Sequence, residues 1–284
     1  MISYWKIPLK ALFGDRNRDM AINLKMPIKK ELLSIPGVKL ASLSAGLKDN
    51  HRNDLMLIVF DDGSIVSGTF TQNKFCAAPV VVSKNHLKST NAIKALIVNT
   101  GSANAGNGNR GIRDAESVCE VLALEMNVMP NQVLSFSTGV IMTPLPAEKI
   151  NKAIPNLVKG LDENNWLGAA EAIMTTDTIP KAVSKSIIIQ NQKVTITGIS
   201  KGSGMIYPNM ATMLAFISTD ANISLEILQK LNREITDTTF NCISVDGDTS
   251  TNDSFIIAAT NQSKHSKINK EDSNYKVLKS AIFD

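Results

Sequence analysis

The sequence predicts a fold that mixes α-helices with β-strands, and three observations support this prediction. The apolar run Leu55–Phe60 is followed by an Asp-Asp-Gly-Ser turn and a second apolar run from Ile65, the pattern of a β-hairpin. Apolar residues recur at helical spacing in 111–127 and in 224–241. The two kinds of segment alternate irregularly with polar turns between them, as in domains of mixed α and β structure.

The remaining elements follow in chain order from the same patterns. Further strands are predicted at 79–83, 95–99, 133–141 and 255–260, and a second hairpin pairs 184–190 with 193–198. Further helices are predicted at 147–160 and 166–174, and another begins at 275. The charged segment 261–274 is predicted to be an exposed loop. The apolar run 210–217 is a buried strand or a buried helix, because periodicity alone does not choose between them.

Composition and charge are those of a globular protein and exclude several classes of function. The 284 residues suffice for one large domain or two modest ones, and 43% hydrophobic with 20% charged residues are ordinary values. The net charge of +4 is spread along the chain without a dense basic run, so no nucleic-acid partner is expected. No apolar stretch reaches about 18 residues, and the first residues lack the features of a secretory signal. We therefore expect no membrane span and a cytoplasmic location.

Neither a metal enzyme nor a serine hydrolase is predicted. The three cysteines are far apart and form no Cys/His cluster, which argues against zinc and favours buried thiols in a reducing compartment. The three histidines, His51, His86 and His265, lie in polar segments typical of a surface, and no G-x-S-x-G elbow is present. No metal and no cofactor are therefore expected.

The most unusual stretch of the chain is 201–216. A glycine-rich loop with Gly202 and Gly204 runs into a Pro-Asn turn signal, and the segment 210–217 that follows is apolar except for Thr212. A lone threonine is a weak nucleophile unless a base adjoins it. If the chain is cut between Ala211 and Thr212, the new α-amino group of Thr212 is that base. We therefore interpret Thr212 as a candidate nucleophile.

Other polar segments supply the groups that acyl transfer at Thr212 would need. Thr138 and Gly139 end a predicted strand, where a hydroxyl and a backbone N–H can together form an oxyanion hole. Lys201 offers a cation to a substrate carboxylate, and the loop at Thr175 forms a polar wall. The loop 99–109, rich in Gly and Asn, is either an anion site or a plain connection between a strand and a helix.

These motifs, in this order, closely resemble those of the ArgJ family, the glutamate N-acetyltransferases and ornithine acetyltransferases of arginine biosynthesis. The resemblance begins with Lys201-Gly-Ser-Gly-Met-Ile and Pro-Asn-Met-Ala-Thr-Met-Leu. It extends to Thr71-Gln-Asn, Ala77-Ala-Pro-Val, Asn99-Thr-Gly-Ser-Ala-Asn-Ala, Ser137-Thr-Gly-Val-Ile, Ile173-Met-Thr-Thr-Asp-Thr, and Asp246-Gly-Asp with Ser250-Thr-Asn-Asp. It covers the chain from about residue 20 to at least residue 260.

The resemblance implies a fold and a processing event. The fold would be an ArgJ/DmpA-like sandwich of β-sheets with flanking helices, in the α/β (mixed α+β) class. The chain would cut itself between Ala211 and Thr212 into an α chain, 20–211, and a β chain, 212–284. The charged segment 13–19 and the new phrase that begins at Met20 predict that residues 1–19 are either an upstream extension or a poorly packed N-terminal arm. Relative to the family, part of the C-terminal region would be missing. The assembly would be a heterotetramer of two α and two β chains.

The resemblance also implies a reaction. Thr212 would take the acetyl group of N2-acetylornithine and pass it to glutamate, while Thr138 and Gly139 stabilise the oxyanion. Thr175 and Lys201 would bind substrate together with Thr212. Some members of the family also use acetyl-CoA as the acetyl donor.

Two alternatives stay open on the sequence. The chain ends before a C-terminal region that family members carry, which fits a truncated and catalytically inactive remnant of the family. The other alternative is a DmpA-like amidohydrolase with an N-terminal nucleophile. The Lys-Gly-Ser-Gly-Met context at 201–205 argues against the amidohydrolase.

Overall fold

The computed structural model describes residues 25–48, 52–207 and 213–284, and these form nine β-strands and six α-helices. The strands are Val38–Leu43 (β1), Leu55–Phe60 (β2), Ile65–Phe70 (β3), Ala95–Ser102 (β4), Val133–Val140 (β5), Lys181–Ile189 (β6), Gln192–Lys201 (β7), Leu214–Thr219 (β8) and Ser254–Ala259 (β9). The α-helices are Ala78–Ser89 (α1), Gly108–Met126 (α2), Ala147–Lys159 (α3), Trp166–Ala172 (α4), Leu225–Thr238 (α5) and Ser273–Phe283 (α6).

The first sheet has four strands in the order β1-β2-β4-β5. The pairs β1/β2 and β2/β4 are antiparallel, whereas β4 and β5 run parallel. Strand β2 is almost continuously apolar and buried, which is typical of a strand covered on both faces. Helices α2 and α3 cover the outer face, where Leu122, Ile150 and Ile154 pack against Leu57 and Ile97.

The second sheet has five strands in the order β3-β9-β8-β7-β6, and β8 and β9 are its one parallel pair within the described residues. Helices α5 and α6 cover its outer face. Leu228, Leu231 and Ile235 of α5, together with Leu278 of α6, pack against Phe255 and other buried residues of the sheet. The side-chain hydroxyl of Ser224 caps α5 by accepting the N–H of Ile227, which stabilises the first turn of the helix.

The two sheets pack face to face around a central apolar core. Met56, Val98 and Phe136 of the first sheet meet Phe216 and Ile256 of the second. The rings of Phe136 and Phe216 contact each other edge to face, with centroids 5.2 Å apart, a favourable arrangement for aromatic pairs. The molecule is therefore a sandwich of two sheets with flanking helices, which confirms the mixed α and β class and the architecture expected from the resemblance.

Two predictions about elements are wrong. The segment 79–83 opens helix α1 instead of forming a strand, because a short apolar run has no distinguishing period and proline is well tolerated in the first turn of a helix. Strands β2 and β3 do not form a hairpin, since β2 pairs with β1 and β4 whereas β3 pairs with β9. The Asp-Gly turn between them carries the chain from one sheet to the other.

The other elements lie close to their predicted positions. The hairpin of β6 and β7 turns at Gln190 and Asn191, whose φ angles of 50° and 62° are those of the tight turns that hairpins favour. The described part of 210–217 is a strand. The segment 261–274 is less exposed than predicted, because Ile268 is buried and bridges to Ile223. No helix in the described part of the chain has the length and apolar character needed to cross a lipid bilayer.

Candidate active site

The candidate site forms where the parallel strands β4 and β5 end side by side. Their register pairs Thr100 with Thr138 and Gly101 with Gly139. Both glycines have positive φ angles, 109° and 139°, and a Cβ atom on Gly139 would come within 2.3 Å of the backbone of Gly101. Only glycine fits so close an approach. The pairing therefore exposes the backbone of residue 139 beside the hydroxyl of Thr138.

A buried lysine from the second sheet reaches the same point. Lys201 ends β7 and is only 5% exposed, and its Nζ atom donates a hydrogen bond to Oγ1 of Thr138 at 3.1 Å. Burial lowers the pKa of Lys201 from its ordinary value, while the carboxyl groups of Asp177 and Asp253 oppose the shift. The contact joins the two sheets at the site and uses a lone pair of the Thr138 oxygen, so the proton of that hydroxyl remains available for donation.

The loop that carries Thr175 is held by the carboxylate of Asp177. This carboxylate accepts the N–H of Thr175 at 3.2 Å and the N–H of Gly202 at 2.8 Å, and it pairs with Lys181. Burial raises the pKa of Asp177, but the hydrogen bonds from Lys181 and from the two backbone N–H groups outweigh it, so the pKa lies below its usual range. Asp177 thereby connects the Thr175 loop to the glycine-rich loop that follows Lys201.

A second lysine, Lys48, approaches the site from the first sheet. Its Nζ atom donates to the carbonyl oxygen of Met174 at 2.7 Å. The loop that carries it is fixed by the buried carboxylate of Asp54, which accepts the backbone N–H groups of Ala45, Leu47 and Lys48. Partial burial lowers the pKa of Lys48, and the carboxylate of Asp54 opposes this shift. Lys48 therefore lies at the candidate site, a position that was not predicted from the sequence.

These groups surround one cavity with a volume of about 530 Å³, a size usual for sites that bind small molecules. Four residues predicted from the sequence line it: Thr138, Gly139, Thr175 and Lys201. The rest of the wall includes Lys48, Gly101, Ala103, Val140, Ile141, Thr176, Gly204, Met205, Ser250, Thr251 and Asn252. The walls therefore come from both sheets and from the loops at their ends.

Thr212 and Ala211 lie outside the described residues, but the chain on both sides of them is placed. On the N-terminal side, the carboxylate of Asp246 accepts the N–H groups of Met205 and Ile206. On the C-terminal side, the N–H of Met213 donates to Oδ1 of Asp253 at 3.0 Å. Strand β8 then begins at Leu214, which pairs with Lys201 on one side and with Ser254 on the other. Residue 213 therefore lies next to the strand ends that carry the site.

Asp253 is a second deeply buried acid at the site. The residue is 1% exposed, and its Oδ2 atom has no hydrogen-bond partner among the described residues. Burial raises the pKa of Asp253 to about 8, against the opposing effects of the Met213 N–H, the Ser250 hydroxyl and Lys201. Asp253 ends the motif Ser250-Thr-Asn-Asp, and no role for it was predicted from the sequence.

The described residues form no metal-binding cluster, and one histidine lies in a different environment from the one predicted. No group of three or more His, Cys, Asp or Glu side chains in the described ranges could hold a metal ion. His265 is 3% exposed, so its predicted place at the surface is wrong. Its Nε2 atom accepts the N–H of Asn222 at 3.1 Å, a structural role that a polar sequence context does not reveal. His51 lies outside the described residues.

The fold is similar to that of an L-aminopeptidase D-Ala-esterase/amidase from Ochrobactrum anthropi, described as a variant of the Ntn hydrolase fold. The TM-score is 0.50, covering 91% of this chain and 86% of that chain. The two sequences are 8% identical, so the likeness shows the fold alone.

The family follows from closer likenesses. The model of the ArgJ family matches residues 39–284. The arginine biosynthesis bifunctional protein ArgJ of Neisseria gonorrhoeae is 50% identical over 265 residues, which cover 93% of this chain and 64% of that protein. The crystal structure of ornithine acetyltransferase from Mycobacterium tuberculosis in complex with ornithine is similar with a TM-score of 0.56 and 26% identity, covering 67% of this chain and 99% of that chain. The chain belongs to the ArgJ family, as the motifs predict. It spans 60% to 64% of the length of the curated relatives it matches.

Proposed function

We propose that the chain is an acetyltransferase of arginine biosynthesis that moves the acetyl group of N2-acetylornithine to glutamate through an acetylated Thr212. The observation that carries the proposal is the convergence of Thr138, Gly139, Thr175 and Lys201 on one cavity. This cavity lies beside Met213, the residue that follows Thr212 in the chain. Membership of the ArgJ family supports the same reaction.

The first step we propose is self-cleavage between Ala211 and Thr212. It frees the α-amino group of Thr212, which then serves as the base for its own hydroxyl. The cut gives an α chain that ends at Ala211 and a β chain that begins at Thr212, and we propose that two copies of each assemble. The N–H groups of Met205 and Ile206 donate to the carboxylate of Asp246, and the N–H of Met213 donates to Asp253. These hydrogen bonds support a fixed position for the chain on both sides of the scissile bond.

The acetyl transfer then follows a two-step covalent cycle. The Thr212 hydroxyl attacks the acetyl carbonyl, its proton passes to the α-amino group, and ornithine leaves with that proton. The amine of glutamate next attacks the acetyl-Thr212 ester and regenerates the hydroxyl. In both steps the N–H of Gly139 and the hydroxyl of Thr138 face the negative oxygen, which is the arrangement an oxyanion hole needs.

The polar walls of the cavity suit amino-acid substrates. Lys201 and Lys48 place two cationic groups at the cavity. Lys201 is buried and Lys48 is half-buried. Hydrogen bonds between an ammonium group and a carboxylate are strong in such surroundings. We propose that Lys201 and Thr175 bind the substrate carboxylate, and that acetyl-CoA is a second acetyl donor.

Denaturing electrophoresis tests the first step. The purified chain is expected to give two fragments, 1–211 and 212–284, whereas Thr212→Ala is expected to give one intact band. Thr238→Ala, on the surface of α5, is the matched control and should be cut like the parent. A parent chain that remains whole would contradict the proposed function.

An acetyl-transfer assay tests the second step. The processed chain is incubated with N2-acetylornithine and glutamate, then with acetyl-CoA and glutamate, and N-acetylglutamate is measured. Release of acetate without glutamate would instead indicate an amidohydrolase. A chain that is cut but inactive with every donor would indicate a processed, inactive member of the family.

A further inference from the structure

Strand β3 lies at the edge of the second sheet, and its one partner strand among the described residues is β9. In an antiparallel pair, alternate residues direct their N–H and C=O groups toward the partner strand. The N–H of Thr71 donates to the carbonyl oxygen of Asp253 in the continuation of this pair, so the odd-numbered residues of β3 face β9. Val66, Gly68 and Phe70 therefore direct their backbone groups toward the open edge.

The open edge of β3 lines a groove between two helices. The groove has a volume of about 580 Å³, and its walls come from residues 66–70, from α1 with the turn after it, and from α5. It shares no lining residue with the active-site cavity. An extended peptide that entered the groove would therefore meet unpaired backbone groups without touching the residues of acetyl transfer.

Side-chain hydrogen bonds tie both helices to β3. Asn232 of α5 is buried, its Nδ2 atom donates to the carbonyl oxygen of Ser67 at 3.0 Å, and its Oδ1 atom accepts the hydroxyl of Thr69. From α1, the Nζ atom of Lys84 donates to the carbonyl oxygen of Thr71 at 3.1 Å. The groove is thus formed before a ligand arrives, which lowers the cost of binding.

The charged side chains of the groove all carry the same sign. Lys84, Lys88 and Arg233 line it, and no described acidic residue does. None of the three forms an ion pair with another described residue. Lys88 and Arg233 are exposed, and Lys84 is half-buried. A groove of this charge favours anionic partners and speeds their association.

The two walls would contact alternate residues of a strand added at this edge, because successive side chains of a strand point to opposite faces. Phe70 of β3 and Leu87 of α1 both pack against the central core, so α1 lies on the inner face of the sheet. Thr69 points the other way, toward α5. A glycine inside a strand, here Gly68, often marks a close approach of another backbone.

We propose that this groove binds an acidic, extended segment of a partner protein, which joins the second sheet as a strand beside β3. Hydrogen bonds to the backbone of β3 supply affinity, and side-chain contacts supply specificity. Acidic residues at adjacent positions of the segment pair with the lysines of α1 on one face and with Arg233 on the other. A second copy of this chain fits poorly, because it would place two basic grooves together. The inference is independent of the proposed function.

Fluorescence anisotropy with labelled peptides tests the proposal on the full chain. The probe is the peptide Thr-Glu-Asp-Val-Glu-Asp-Thr, compared with its neutral analogue Thr-Gln-Asn-Val-Gln-Asn-Thr and with a copy of the probe that is N-methylated throughout. We expect the probe to bind about tenfold more tightly than the neutral analogue. The N-methylated copy keeps the charges but cannot donate to the edge of β3, so we expect it not to bind.

Charge reversal on the protein tests the same contacts from the other side. The double variant Lys88→Glu and Arg233→Glu should weaken binding of the probe by about tenfold or more. The matched control is Lys152→Glu with Lys159→Glu, two exposed positions of α3 with the same change of charge. The control should bind the probe within a few-fold of the parent.

Amide hydrogen exchange, followed by NMR on the parent, locates the bound peptide. The N–H groups of Val66, Gly68 and Phe70 should exchange about tenfold more slowly when the probe is bound. Those of Ser67 and Thr69 already face β9 and should change little. If melting curves show that a charge variant does not fold, this measurement on the parent decides.

Several results would overturn the proposal. If the probe does not bind, the lysines serve only to keep an open edge from aggregating. Equal binding of the N-methylated copy, or unchanged exchange at the open edge, would mean a contact of charges without strand addition. Displacement of the probe by single-stranded oligothymidine at lower concentration would indicate a nucleic acid instead. Self-association that excludes the probe, seen by gel filtration, would assign the edge to a second copy of the chain.

Discussion

The Nζ atom of Lys201 and the Oγ1 atom of Thr138 lie 3.1 Å apart, and this hydrogen bond joins the ends of the two sheets. Lysine has no acceptor, so the ammonium group must donate and the threonine oxygen must accept. The hydroxyl proton of Thr138 is then free for a negative charge in the cavity. Besides the substrate-binding role proposed for it, Lys201 therefore orients the hydroxyl of Thr138.

The first prediction concerns this hydroxyl. Thr138→Val keeps the shape of the side chain and removes the donor, so we expect kcat for acetyl transfer to fall by about 10² to 10³, the usual loss for one oxyanion-hole donor. Thr138→Ser retains the hydroxyl and should stay within a few-fold of the parent. Steady-state assays of both variants measure the effect. Equal activity of Thr138→Val and the parent would exclude Thr138 from the oxyanion hole.

The second prediction concerns Gly139. In Gly139→Ala the new Cβ would lie 2.3 Å from the backbone of Gly101, so the ends of β4 and β5 must separate. We expect loss of both self-cleavage and acetyl transfer, with a lower melting temperature. Gly63→Ala is the control, since Gly63 also has a positive φ, 84°, but its Cβ would meet open space. The control should lose only about 1 kcal/mol of stability from backbone strain and should still be cut.

The sequence predicted these two residues as candidate oxyanion donors from their types, but not the contacts that hold them in place. Thr-Gly at the end of a strand indicates a possible pair of donors, whereas the close approach to Gly101 depends on the parallel register of β4 and β5. Lys48 and Asp253 were not predicted to lie at the candidate site for a similar reason. Lys48 bonds to Met174 across 126 positions of the chain, and local pattern carries no information about such a contact.

In the fold, too, local features were predictable from the sequence, whereas contacts between distant parts of the chain were not. Amphipathic helices such as α2 and α5 were predicted from their spacing, because one apolar face must be buried in any fold. The turn 61–64 was recognised as a turn, but the sheet that each flanking strand joins is decided by partners far away, Leu96 for Ile58 and Ala258 for Val66. A turn motif describes the backbone between two strands and not their pairing.

The third prediction concerns Asp177, whose carboxylate links two loops of the site. The pKa of Asp177 is lowered in the folded protein, so its carboxylate contributes stability above the unfolded pKa of about 3.9 and loses it as the pH falls through the folded value. We expect Asp177→Asn to cost about 2 to 3 kcal/mol of unfolding free energy at pH 7, the value of hydrogen bonds to a charged group. The difference from the parent should shrink below about pH 4.

Urea unfolding of the parent and of Asp177→Asn at pH 7, 5 and 3 measures this difference. Lys181→Met and the double variant complete a cycle that separates the ion pair from the backbone hydrogen bonds. If the coupling energy between Asp177 and Lys181 equals the whole loss of unfolding free energy in Asp177→Asn, the hydrogen bonds to Thr175 and Gly202 contribute nothing. A cost that stays constant down to pH 3 would contradict the lowered pKa.

The fourth prediction concerns the effect of Asp253 on the unfolding free energy. This effect has the opposite pH dependence to that of Asp177, because the pKa of Asp253 is raised rather than lowered. The folded protein keeps a proton on Asp253 up to about pH 8, whereas the unfolded chain releases it near pH 3.9. Between these values the folded state binds more protons, so this group lowers the unfolding free energy by up to about 1.4 kcal/mol for each pH unit. Asp253→Asn removes the titration, and the variant should therefore gain on its parent as the pH rises from 5 to 8.

Both proteins are measured in a Thr212→Ala background, so that the chain stays intact during urea unfolding. The gain over three pH units is at most about 4 kcal/mol. A difference between variant and parent that is constant from pH 5 to 8 would show that Asp253 is ionised throughout, and its Oδ2 atom would then need a permanent donor.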